Sequence, residues 1–177
     1  MGCFITDEEG GGKAAVLAFK RDELIYDIAN GAYIEGNVLP EEISAHNRHW
    51  VQDVAQKGNI DRATRVLNLE IAKVREALYP FTNHEITNAE LNNKLREPHT
   101  YGIVMKLPAD FSQTTLNYLE LLIHEYLVCR VLEDWMSMTN PGKTELWGLK
   151  AERALDELRS SRNRRKSGTV RRKLRPW

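Results

Sequence analysis

The stretch Ser112 to Met138, SQTTLNYLELLIHEYLVCRVLEDWMSM, decides the fold of this chain. Ser112 suits an N-cap, because a serine side chain can accept from the first unpaired helical N–H groups. From there Leu116, Leu119, Leu122, Ile123, Tyr126, Leu127, Cys129, Val131, Leu132 and Trp135 recur at helical spacing and cover more than half the circumference. A helix that apolar is the buried centre of a bundle, or is covered by a neighbouring subunit. Leu119, Ile123, Tyr126, Leu127 and Trp135 are therefore expected to be core and assembly residues.

Working outward, Asn140-Pro141-Gly142 reads as a turn, followed by a last helix over about Lys143 to Ser160 carrying Leu146, Leu149, Ala154, Leu155 and Leu158. Upstream, Tyr101 to Leu107 lies between Pro98 and Pro108 and is the best strand candidate. Thr87 with Glu90 forms a capping box for a short helix to about Arg96. Before it, Ile60, Ala63, Leu67, Ile71, Val74 and Leu78 define an amphipathic helix that Asn59 can cap, ending at Tyr79-Pro80. Its outer face mixes Arg62, Arg65, Lys73 and Arg75 with Asp61, Glu70 and Glu76.

A further helix is expected from Pro40 to about Gln56, with Glu41 and Glu42 at the positive end of its dipole. Another is capped by Asp22 and broken at Gly36, Asn37 and Pro40. Ala14 to Phe19 is a short apolar run with the length of a strand. The whole reads as mainly α: a helical bundle with a small β-hairpin or strand pair and extended N- and C-terminal arms. Residues 1–13 are expected as a flexible leader, 14–160 as the helical domain and 161–177 as a basic arm.

Charge is what sets the two ends apart. All 25 acids but only 16 of the 25 bases lie in residues 1–158, a net of −9, and Arg159 to Trp177 carries the other nine bases and no acid. Such a split points to an interaction arm on a folded body. Arg162, Arg164, Arg165, Lys166, Arg171, Arg172, Lys173, Arg175 and Trp177 are its candidate partner-binding residues. Arginine-rich segments bind phosphates through charge, with little base reading. With one aromatic, Trp177, the arm lacks a stacking set for single strands. Thr169 to Arg175 is β-compatible, so the arm can instead add to a partner's sheet or seat Trp177 in a pocket.

Catalytic and metal motifs fail on spacing. His124-Glu125 begins a zinc-protease pattern, but position 128 is Val where a second histidine must stand one turn on. His46, His49 and Asp53 can share a helical face fit for zinc, yet beside Asn47, Arg48 and Gln52 they read as a solvated polar face. Gly10 to Lys13 is not a phosphate loop, and Glu120, Glu125, Glu133 and Asp134 read as a solvated stripe. The expectation is a non-enzyme with no catalytic residues, no metal and no cofactor. Met1-Gly2-Cys3 fits an acylation pattern. Against a membrane role, no run of about 18 apolar residues exists, and a secretory signal is not expected.

Several segments together carry a resemblance: Lys20 to Asn30, Ala32 to Gly36, Gly58 to Leu69, Leu78-Tyr79-Pro80, Phe111 to Leu116, Ile123 to Val128, Asp134 to Ser137, Thr139-Asn140-Pro141 and Gly168 to Arg172. Over roughly residues 14–177 the chain resembles small helical proteins encoded beside structural genes of tailed phages of Bacteroides-type gut bacteria, including crAss-like phages. The resemblance implies a virion protein of the neck, a head–tail connector assembled in the host cytoplasm. It implies a homo-oligomeric ring, in twelve copies, whose partners are the portal protein and the tail or further ring proteins. Contact with packaged DNA would be non-specific. The alternative is a nucleic-acid-binding accessory protein that uses the arm.

Overall fold

The computed structural model describes residues 2–7, 12–39, 45–79, 81–82, 97–108 and 111–162. In chain order these form β1 (Gly2–Asp7), β2 (Gly12–Lys20), α1 (Arg21–Val38), α2 (Ala45–Gln52), α3 (Ile60–Ala77), β3 (Thr100–Pro108), α4 (Gln113–Thr139) and α5 (Thr144–Ser161). Short 3₁₀ turns at Asp53–Ala55 and Pro141–Lys143 follow α2 and α4.

The apolar helix read first from sequence is α4, the spine of the molecule, about 40 Å long for its 27 residues. Ser112 caps it as expected, its hydroxyl accepting from Thr115 N at 3.4 Å. Helices α1, α2, α3 and α5 all pack on α4, which is why apolar residues cover more than half of its circumference. Leu119, Ile123, Tyr126 and Leu127 are fully buried and Trp135 nearly so. Each such side chain contributes about 1.5–3 kcal/mol on leaving water. Helix α5 runs back along α4 after the Asn140 turn, with Arg130 paired to Glu152 and Tyr118 to Glu157.

The mainly α expectation holds, with a small antiparallel sheet laid on the helices. The two strand candidates turn out to pair with each other, β2 with β3, in register from Gly12 opposite Pro108 to Lys20 opposite Thr100. Ala15, Leu17 and Phe19 on β2 and Tyr101, Ile103, Met105 and Leu107 on β3 are buried, and their sequence neighbours are not. That period-two alternation is the mark of a sheet with one face on a core. The leader differs from expectation. Gly2–Asp7, placed in a flexible arm with the acylation pattern Gly2-Cys3, is an edge strand paired to β2, giving the order β1-β2-β3.

Three helix ends also differ. Asp22 does not cap α1; the N-cap position is Lys20, and Asp22 and Glu23 sit in the first turn. Gly36 does not break α1, which runs on to Val38, because Gly36 is a site of close approach to α2. A Cβ there would lie 2.6 Å from Gln52 Cγ and 3.1 Å from the Arg48 carbonyl. Asn59 stands at the N-cap of α3, but its side chain donates to Asp53 O at 2.9 Å instead of capping. The expected capping-box helix at 87–96 and the proposed helix start at 40–44 lie outside the described residues.

Candidate interaction site

The basic arm has a fixed root. Its first members, Arg159 and Arg162, sit at the C-terminal end of α5, beside the C-terminal end of α3. Carbonyls at a helix C-terminus have no intrahelical donor and carry the negative end of the dipole, so a guanidinium fits there. Arg162 Nη1 donates to Ala77 O and, at 3.2 Å, to Tyr79 O. Arg164, Arg165, Lys166, Arg171, Arg172, Lys173, Arg175 and Trp177 lie outside the described residues.

Next to this root is a cleft of about 520 Å³ between α3, α4 and α5, with Lys73, Glu76, Arg130, Glu152, Arg159 and Arg162 on its walls. Tyr126, Arg130 and Lys73 on its walls belong to a polar network centred on Glu70. Glu70, read from sequence as outer face, is only 4% exposed. It accepts from Tyr126 Oη at 2.5 Å and from Lys73 Nζ at 2.6 Å. Arg130 stacks 5.4 Å from the Tyr126 ring centre and bonds Glu133 at 2.7 Å. Burial opposes the Arg130 charge, but these partners hold its pKa above the usual arginine value. Glu133 and Asp134 are likewise not a free stripe: Asp134 takes a two-pronged bond from Arg62 at 2.7 and 2.9 Å. Such charge-assisted pairs fix the α3–α4 register more than they add stability.

The same packing makes alkali a test of the core. Burial, and then the hydrogen bond to Glu70, push the Tyr126 hydroxyl up to about 12. Burial raises Tyr101 to about 12, and burial with Glu125 raises the Cys129 thiol to about 12. Unfolded, these groups titrate near 10.0, 10.0 and 9.0. Between those values and 12 the unfolded chain releases protons that the folded chain keeps. Stability is therefore present below pH 9 and falls as pH rises toward 12. The urea midpoint should drop over that window, and less steeply in Tyr126→Phe relative to its own pH 8 value. A flat profile would remove the burial assignment.

Three of the five histidines lie in two separate recesses. His124 Nε2 lies 2.7 Å from Asp27 Oδ2, in a pocket of about 370 Å³ that also holds Asp22, Glu23 and Tyr26. His46, His49 and Asp53 do share one cleft, of about 210 Å³, with Trp50. There His46 packs edge-on against Trp50 and Asp53 accepts from Gln56 at 2.6 Å. Among the described residues no group of three His, Cys, Asp or Glu is placed to hold a metal ion. The Asp27–His124 pair joins residues 97 apart, and nothing in local sequence announces it.

The five α4 residues expected to serve core and assembly are all within the subunit's own core. Apolar surface lies elsewhere. On α1, Tyr26, Tyr33, Ile34 and Val38 are more than half exposed. On α5, Leu146 and Leu149 face outward, and Ala151, Ala154, Leu155 and Leu158 turn inward. Among the described residues no helix is long and apolar enough to cross a membrane.

No protein-family model, curated protein or solved structure matches this chain. Its fold and site define a mainly helical domain with a small antiparallel sheet, exposed apolar helix faces, and a basic arm rooted where α3 and α5 end.

Proposed function

We propose that this chain is a structural virion protein: a head–tail connector subunit that assembles as a ring, of twelve copies, between portal and tail. The observation that carries the reading is the fixed root of the arm. With Arg162 held on carbonyls at the end of α3, the seven further bases of the arm continue from a defined point on a body of net charge −9. A cationic strap leaving an acidic body selects a partner by charge and position. The outward apolar residues of α1 and α5 supply the kind of surface that neighbouring subunits cover.

Mass measurement and electron microscopy of the purified chain test this directly. A ring near twelve times 20.4 kDa is expected; a monomer at every concentration would overturn it. The nucleic-acid reading rests on the same arm and gives a different result. Duplex binding that falls about 10³–10⁵-fold between 50 and 200 mM salt, for six to ten phosphate contacts, would favour it.

A further inference from the structure

We infer that Thr169–Arg175 of one copy adds as a strand to the outer edge of β1 in the next copy, linking subunits head to tail through the sheet. The inference rests on the ring reading above for its partner, a second copy of this chain.

The order β1-β2-β3 leaves two edges. Unpaired edge strands present rows of N–H and C=O groups and are templates for further pairing. The β3 edge is partly engaged: Lys106 N donates to Phe81 O at 2.9 Å, and Gly102 O accepts from Arg75 Nη2 at 2.6 Å. Among the described residues, β1 has no strand on its outer side. Antiparallel pairs alternate in which residues point their backbone inward. Lys106 and Gly102 point outward, and they stand opposite Ala14 and Ala18, which therefore turn toward β1. Thr6, Phe4 and Gly2 answer that run of β2, so the outward groups of β1 belong to Cys3, Ile5 and Asp7.

The arm supplies a segment that fits. Thr169-Val170-Arg171-Arg172-Lys173-Leu174-Arg175 is seven residues between Gly168 and Pro176, against six in β1. Its four cations meet a strand whose sequence runs into Asp7-Glu8-Glu9. Residues 163–168 give a tether of roughly 20 Å when extended. The root of that tether is on the β3 side, since Arg162 holds Ala77 O and Tyr79 O, just before Phe81. Each copy thus offers an arm on one side and, among the described residues, an unpaired edge on the other. That is a heterologous contact, the kind that generates rings when its rotation closes.

The test uses the full chain and a Thr169→Pro/Val170→Pro/Leu174→Pro variant, which keeps every charge and alters none of the described core residues. Proline removes the N–H donors that a new strand needs. Oligomer mass is measured against concentration, and hydrogen exchange is read at the amides of Cys3, Ile5 and Asp7. The native chain should assemble, with these amides exchanging at least about tenfold more slowly than in the variant, which assembles correspondingly weakly. A synthetic peptide of residues 163–177 should restore protection to the variant, and the same peptide with the three prolines should not. If the variant assembles and is protected like the native chain, the strand pairing is wrong and the ring stands. Protection of β1 in a monomeric native chain, independent of concentration, would mean pairing within one copy and overturn the inference. A monomer with unprotected β1 would sink both readings.

Discussion

Truncation after Arg162 should leave the body folded and abolish attachment of tails to filled heads. Every described helix and strand ends by Ser161, and no described core residue lies beyond it. Measured at a concentration where both chains are monomeric, the melting temperature of the truncated chain should therefore stay within about 2 °C of the full chain, as for surface changes of under about 0.5 kcal/mol. The cut must come after Arg162 and not before it. Arg162 satisfies two carbonyls at the end of α3, and its loss adds about 1–2 kcal/mol of destabilisation by exposing the helix ends. With the shorter cut, fold and partner binding separate. Normal tailed particles from the truncated gene would refute the connector reading; empty expression of unfolded protein would refute the domain boundary.

Trp135→Ala should be the most damaging single change in the core, by about 3–5 kcal/mol. Trp135 is 5% exposed on α4, and its indole N–H donates to Val51 O at 2.8 Å at the end of α2. Two losses combine: the packed ring between the helices, and the donor to a buried carbonyl. For a domain of this size the melting temperature should fall by roughly 10 °C. Trp135→Phe separates the two, since it keeps most of the packing and leaves the Val51 carbonyl without its donor, at about 1–2 kcal/mol. Urea titration of both variants checks the ordering. A Phe variant as unstable as the Ala variant would mean the hydrogen bond, and not the ring, dominates.

The candidate site was legible in parts. The arm shows in composition alone, because nine bases without an acid form a contiguous run. The docking of Arg162 on α3 is invisible there, since the carbonyls belong to residues 85 and 83 positions away. Glu70 is a middle case. It falls three residues after Leu67 and four before Val74, on the apolar stripe of α3, and that spacing is the signal that places it inside. Charge type suggested the opposite, and the Tyr126 hydroxyl across the core is what reverses it. The α5 pattern misled in the other direction: Leu146 and Leu149 keep helical spacing but lie exposed on the half of α5 that follows the turn.

By itself the sequence determined the spine, the two apolar runs that become β2 and β3, and the polarised tail, while the pairing of those runs across 80 or more residues waited for the tertiary structure. Spine, runs and tail depend on periodicity and net charge, which are properties of consecutive residues. Only the tertiary structure decided that Gly2–Asp7 joins the sheet, that Glu70 is buried and that Arg162 anchors the arm. Each depends on what faces a residue from a distant part of the chain. A hydrogen bond or a ladder partner tens of residues away leaves no trace in the local pattern, because its free energy exists only once the two elements meet.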